Sequence, residues 1–189
     1  NEYDIGTNFT TGVSYTLFIV EKRADSVANA YFFGQEGASA QNQRLQLGYK
    51  NSGTPIITMA HFNNDLDVDF SDAAYSSIIQ DINVLAFRFT EDGNPSHEMI
   101  INGVNSILDT DGANLLTAQF SGDLEHNSNN LIGRANEANR YEGNIMELIV
   151  FNTALSDDDV YYINYYLSKK WNLQSSVDTD GDGISNYDE

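Results

Sequence analysis

What most constrains the fold of this chain is a succession of short apolar runs, each closed off by polar, glycine-bearing residues. Tyr15-Thr-Leu-Phe-Ile-Val20, Ala30-Tyr-Phe-Phe33, Arg44-Leu-Gln-Leu-Gly-Tyr49 and Ile56-Ile-Thr-Met-Ala-His-Phe62 are dense in the β-branched and aromatic residues that suit a pleated, half-buried surface. Asn83-Val-Leu-Ala-Phe-Arg-Phe-Thr90, His97-Glu-Met-Ile-Ile101, residues 104–108, Leu131-Ile-Gly133 and Ile145-Met-Glu-Leu-Ile-Val-Phe151 continue the series. Between them, Glu91-Asp-Gly-Asn-Pro95 supplies turn chemistry, and Asn102-Gly103 marks a tight hairpin. Many short strands at this spacing predict an all-β chain folded as an antiparallel β-sandwich.

One helix is expected, over residues 156–171. Ser156 is placed to cap it with Asp159 three residues on, and Asp157 and Asp158 set negative charge at the positive end of the helix dipole. Val160, Ile163, Leu167 and Trp171 recur at helical spacing, and Lys169 and Lys170 suit the C-terminal end. The run Tyr161, Tyr162, Tyr165 and Tyr166 reads as packing against the sandwich, with a sugar-stacking face as the competing reading. Residues 72–80 fit either a second small helix or a turn.

The chain of 189 residues has the size of one domain with a small appended module, divided here into a sandwich over 1–173 and a linker with terminal loop over 174–189. Twenty-eight acidic residues against nine basic ones leave a formal charge of −19. That charge repels phosphate backbones and anionic lipid headgroups, which removes nucleic acid and membrane surfaces from the expected partners. No apolar run approaches the roughly 20 residues of a membrane span, so direct membrane insertion is not expected either. Cysteine is absent, and with it any disulfide framework or thiolate zinc site. Because the chain begins at Asn1, it is expected to be part of a much longer multidomain protein.

Acidic residues gather in patterns that fit a hard cation. In the last twelve residues Asp178, Asp180 and Asp182 fall at positions one, three and five of an EF-hand loop. Gly183 stands at six, Ile184 offers its carbonyl at seven, Asn186 follows, and Glu189 closes the sphere at twelve. The expected cofactor is Ca2+, and the competing reading is an acidic tail. A second cluster is Asn63-Asn-Asp-Leu-Asp-Val-Asp-Phe70. As an extended strand it places Asp65, Asp67 and Asp69 on one face, where neighbouring carboxylates about 7 Å apart repel by roughly 0.6–2.4 kcal/mol unless a cation intervenes. A solvated acidic face is the alternative. Asp109 and Asp111 repeat the first half of a calcium loop without its downstream carboxylate, a pattern that fits an Asx turn better than a metal site. More than one calcium site is expected, and calcium in turn suggests a secreted or cell-surface protein.

The stretch Tyr141-Glu-Gly-Asn-Ile-Met-Glu-Leu-Ile-Val-Phe-Asn-Thr-Ala-Leu-Ser-Asp-Asp-Asp-Val160, followed by Ile163, Tyr166, Leu167, Lys170 and Trp171, resembles the closing strand and helix of laminin-G-like domains. These are jelly-roll sandwiches of the concanavalin-A-like type. Leu45-Gln-Leu-Gly-Tyr-Lys-Asn51, His61-Phe-Asn-Asn-Asp-Leu-Asp67, Ile101-Asn-Gly-Val104 and Ile132-Gly-Arg134 extend the resemblance over most of residues 15–173. The terminal loop is similar to thrombospondin type 3 calcium repeats, and the combination to ligand-binding modules of bacterial calcium-dependent RTX-type adhesins. The resemblance implies calcium at a rim between loops, in contact with the ligand, which points to Asn64, Asp65 and Asp67, with His61 and Asn63 adjoining. Arg134, Asn136 and Arg140 lie before the closing strand, where a jelly roll presents its rim; arginines there are placed to clamp a carboxylate such as a peptide C-terminus. Surface salt bridges are the alternative for each arginine.

No catalytic constellation is visible. The β-glucan hydrolases of this superfamily carry Glu-x-Asp-x-x-Glu on one strand, and no such run occurs here. Glu142 and Glu147 are five positions apart, which strand alternation sends to opposite faces. His61, His97 and His126 are scattered and form no zinc-protease pattern. The expectation is a calcium-dependent recognition domain of a secreted or surface bacterial adhesin that binds a short extracellular peptide or protein C-terminus. A lectin binding glycans on the same fold is the alternative, and a carbohydrate hydrolase the third reading.

Overall fold

The computed structural model describes residues 3–24, 29–51, 55–69, 81–93, 96–105, 115–118, 123–136, 139–179 and 184–186, with backbone alone for 51, 55, 69 and 115–118. Its strands are β1 (Tyr3–Asp4), β2 (Tyr15–Arg23), β3 (Ala30–Gln35), β4 (Gln46–Asn51), β5 (Pro55–Ala60), β6 (Asp65–Asp69), β7 (Asn83–Phe89), β8 (His97–Ile101), β9 (Val104–Asn105), β10 (Leu115–Ala118), β11 (Asn130–Ile132) and β12 (Gly143–Phe151). One helix, α1 (Asp157–Lys170), follows β12. The strands form two antiparallel sheets, one in the order β1-β11-β3-β4-β5-β6-β10 and one in the order β12-β2-β7-β8-β9. This is the jelly-roll sandwich with a C-terminal helix that strand spacing and the resemblance imply.

The two sheets bury their facing side chains against each other. Tyr15, Leu17 and Ile19 of β2 and Leu85, Phe87 and Phe89 of β7 meet Phe32, Leu47, Tyr49, Ile57, Met59 and Leu66 of the larger sheet. The residues between them, Phe18 and Val20 of β2 and Val84 and Ala86 of β7, point outward and are buried as well. Their cover is α1, through Val160 and Leu167, with Ile163, Trp171 and Val177 alongside. A strand buried on both faces needs no polar alternation, which is why β2 reads as an unbroken apolar run. Each such side chain contributes about 1.5–3 kcal/mol of burial.

Helix α1 begins where its sequence marks it: the Ser156 hydroxyl accepts from the Asp159 amide at 3.2 Å, and acidic residues fill the first turn. Its tyrosines, however, do not pack as expected. Tyr162, Tyr165 and Tyr166 are exposed, while Val160, Asn164, Leu167 and Ser168 form the buried face. The 3.6-residue period assigns that face to the aliphatic row, and the tyrosines fall on its other side. Alternation in β12 fails too, because the register shifts between Ile145 and Glu147. Glu147 is held by Lys170 Nζ at 2.7 Å and by Trp171 Nε1 at 2.6 Å, which anchors the end of α1 to the sheet.

The beginning of the terminal loop docks on the β8–β9 hairpin. Asn102 and Gly103 both have positive φ, and the Asp178 amide donates to the Asn102 carbonyl at 3.1 Å. A Cβ on Gly103 would lie 1.9 Å from the Asp178 carbonyl oxygen, so only glycine permits both the turn and the contact. Asn186 is buried: its Oδ1 accepts from the Thr179 amide at 3.0 Å, and its Nδ2 donates to Ser168 at 3.1 Å and to the Thr179 hydroxyl. Ile184 is exposed. Asp109, Asp111, Asp180, Asp182, Glu189, the side chain of Asp69 and residues 72–80 lie outside the described residues.

Candidate functional site

Four connections converge at one end of the sandwich: those leaving β3, β5, β7 and β10. Asn42, Phe62, Asn63 and Asp92 turn the backbone there through positive φ, conformations that asparagine and aspartate tolerate better than most residues. Backbone bonds lock the loops together. The Asn42 amide donates to the His61 carbonyl at 2.7 Å, Glu125 donates to the Asn42 carbonyl at 2.9 Å, and His61 donates to the Asn64 carbonyl at 3.0 Å. They enclose a groove of about 510 Å³ lined by Gln41, Asn42, Asn64, Asp92, Ser96 and Asp123, with Gly93 at its edge.

Three amides run in series along one wall. Gln41 Nε2 donates to Asn64 Oδ1 at 3.0 Å, and Asn64 Nδ2 donates to Asn42 Oδ1. That relay fixes the orientation of all three side chains and leaves Gln41 Oε1 and Asn42 Nδ2 without partners among the described residues. The carboxylates of Asp92 and Asp123 likewise make no hydrogen bond or ion pair among the described residues. The wall thus offers acceptors and donors together.

Behind the groove stands a buried aromatic cluster. Ser96 Oγ meets His97 Nδ1 at 2.8 Å, the His97 and His61 rings lie 4.5 Å apart edge to face, and His61 Nε2 meets the Tyr15 hydroxyl at 3.0 Å. Phe89 closes the cluster against both imidazoles. His97 Nε2 is buried without a partner among the described residues. Burial, reinforced by the neighbouring His61, pushes the His97 imidazole down to about 2, so it is neutral at physiological pH. His61 therefore stands behind the groove rather than in it, because the sandwich end draws its ring into the core.

The other candidates are dispersed. Asn63 is exposed on the rim and Asn64 lines the groove. Asp65 and Asp67 do share one face of β6, as alternation requires, but that face is the outside of the seven-stranded sheet, away from the groove. There Lys50 Nζ reaches Asp65 at 2.6 Å and Asp67 at 3.1 Å, so an ammonium group supplies the neutralising charge. Burial raises the Asp65 carboxyl, with Lys50 opposing the shift. Arg134 pairs with Glu36 at 3.1 Å, Asn136 Oδ1 accepts from the Asn139 amide at 2.9 Å, and Arg140 bridges to Tyr31 and Arg134. None of these three lines the groove. Among the described residues no group of three or more His, Cys, Asp and Glu is arranged to hold a metal ion.

Sequence reasoning missed most of the groove. Asp92 is visible in the sequence as a turn residue, while Gln41, Asn42 and Ser96 carry no signal of their own.

This geometry defines a jelly-roll module with a polar site at its loop end. No family model and no curated protein matches the sequence. Solved structures match the fold. The CBM40 module of Ruminococcus gnavus IT-sialidase aligns with a TM-score of 0.59 at 16% identity over 87% of this chain and 92% of that one. The same module bound to α2,3-sialyllactose gives 0.58 at 14% identity, over 87% and 92%. A SAP-like pentraxin from Limulus polyphemus gives 0.50 at 12% identity, over 93% and 78%. The chain spans only 26% of a NanB structure that it matches with a TM-score of 0.54 at 17% identity over 86% of its own length.

Proposed function

We propose that this chain is a glycan-binding module of a larger extracellular protein, and that the loop-end groove receives a neutral sugar. The groove is the observation that carries this reading. Sugar hydroxyls both donate and accept, and the wall presents matching partners: two carboxylates and Gln41 Oε1 as acceptors, Asn42 Nδ2 as a donor. Its volume falls within the roughly 300–1,000 Å³ of small-molecule sites. Alignment over 87% of this chain with a carbohydrate-binding module supports the class.

Charge decides between ligands. Among the described residues no lysine or arginine lines the groove, and Asp92 and Asp123 would repel a ligand carboxylate. A peptide C-terminus, the ligand for which Arg134 and Arg140 were candidates, therefore has less support than a neutral glycan. The test is a glycan array repeated with Asp92→Asn, Asp123→Asn and Asn64→Leu. Neutral glycans should bind and sialylated ones should not, and each variant should weaken binding roughly tenfold, the value of one hydrogen bond to a charged or buried partner. Unchanged binding in all three variants would remove the groove from the proposal.

Calcium enters the proposal as a structural ion of the terminal loop. Asp178, Thr179 and Asn186 tie two parts of that loop to the sandwich and to each other, and Asp178, Asp180, Asp182, Glu189 and the Ile184 carbonyl are the oxygen donors that would hold the ion. Such a clip suits a module within a secreted or surface adhesin. Chelation should then lower the melting temperature, because an ion bound only by the folded state stabilises it by mass action. Identical melting curves with calcium and with chelator would exclude the clip.

A further inference from the structure

We propose that the crevice between α1 and the outer face of the five-stranded sheet, distinct in its lining from the loop-end groove, is a binding site for an alkylammonium group. The crevice has a volume of about 200 Å³. Its lining includes the apolar Ile100 and Val160, the ring of Tyr161, and the oxygen-bearing Glu98 and Asn164.

Asn164 is the first reason. Its side chain is 1% exposed, and Nδ2 donates to the Val160 carbonyl at 3.0 Å. That bond fixes the amide orientation, because a carbonyl partner requires the NH2 group. Oδ1 is then left buried with no partner among the described residues. A buried acceptor of this kind is satisfied by a donor that enters the crevice.

The charge balance is the second. Arg88 Nε donates to Glu98 Oε2 at 2.6 Å, while its Nη1 reaches Asp157 Oδ1 at 2.7 Å and the Leu155 carbonyl at 2.8 Å. Two carboxylates share one guanidinium, which leaves one negative charge in excess, with Glu98 19% exposed and Asp157 90% exposed to screening solvent. The other polar groups on its lining, Asn105 and Thr179, are neutral. An anionic ligand is repelled, and a neutral alcohol leaves the excess charge unmatched. A primary ammonium on a short aliphatic stem meets all the demands: N–H donors for Asn164 Oδ1 and Glu98, positive charge for the carboxylates, and methylenes for the apolar lining. Such a group is borne by a lysine side chain of a partner polypeptide or by a free amine.

Titration of the isotope-labelled chain with n-butylammonium chloride, followed by NMR at constant ionic strength, tests the site. Saturable shifts are expected at the Asn164 side-chain amide and the Ile100 and Val160 methyl groups, with none from 1-butanol or butyrate. Asn164→Asp should tighten binding roughly tenfold and Glu98→Gln weaken it by a similar factor, the scale of one charge-assisted hydrogen bond. Each variant's melting curve separates loss of binding from loss of fold. Equal shifts from 1-butanol, no saturation, or identical affinities in both folded variants would overturn the proposal. Parallel titrations with Nα-acetyl-lysine methylamide and with putrescine distinguish the polypeptide source from the free amine.

Discussion

Acid should loosen this protein through His97, and the size of the effect follows from its burial. In the folded state the imidazole is fully buried and held down to about 2; in the unfolded chain it titrates near 6.5. Its folded value lies below its unfolded one, so the stability linked to its neutral form is present above about pH 6.5 and is lost as pH falls toward the folded value. Between about pH 5.5 and 4 the unfolded state binds one more proton at this position than the folded state. The slope is then about 1.4 kcal/mol per pH unit, or about 2 kcal/mol across that interval. His97→Gln cannot protonate, yet it retains an acceptor for Ser96. Urea titrations of both proteins at matched pH values isolate the effect, because the other titrating groups are common to the two. The stability difference between wild type and variant should shrink by about 1.4 kcal/mol for each unit of acidification in that window. A difference that stays constant from pH 5.5 to 4 would refute the assignment of His97 as a neutral buried imidazole. Since His97 stays neutral in the folded protein over this range, its contact with Ser96 behind the groove should not change.

Glu21 is a fully buried carboxylate that accepts from Tyr49 at 2.7 Å, from Asn83 at 3.1 Å and from Tyr141, so Glu21→Ala strands three donors and should cost about 3–5 kcal/mol in urea unfolding. Burial raises the Glu21 carboxyl, and the stability tied to its protonated form is lost as pH rises through the folded value; Glu21→Gln should therefore gain on wild type with rising pH, measured by the same titrations. Ser156→Ala removes the cap of α1 and should cost about 1 kcal/mol, visible as a lower urea midpoint with an unchanged slope.

The strands were legible where one physical demand dominated. Residues 97–101 appear as β8 with the bounds the sequence suggests, and α1 starts at the residue its cap predicts, because β-branched runs and N-caps are local signals. Strands β1 and β10 were not foreseen. Tyr3–Asp4 has only two residues and is defined by its pairing with β11, a contact that no local pattern encodes. The site was less legible still. Asp65 and Asp67 stood out as a charge pattern, but their partner Lys50 comes from β4, and only the sheet register brings the three together. Gln41, Asn42, Asp92, Ser96 and Asp123 belong to three loops whose convergence depends on the closure of both sheets. The exposed tyrosines of α1 were misassigned because aromatic content was weighed above the helical period.

The two buried faces of β2 also set a timetable for synthesis. Its neighbours are β7 and β12, and β12 is almost the last part of the sandwich to be made. At roughly 5–20 residues per second, β2 waits on the order of ten seconds on the ribosome before β12 is available to pair with it. During that wait one strand edge and the apolar row of Phe18 and Val20 have no permanent cover, since α1 emerges later still. Pairing between distant segments also slows the search for the native topology. Nascent chains cut short before residue 143 should thus be more aggregation-prone than the complete domain, and the closing strand and helix act as the seal on a sheet assembled from its middle outward.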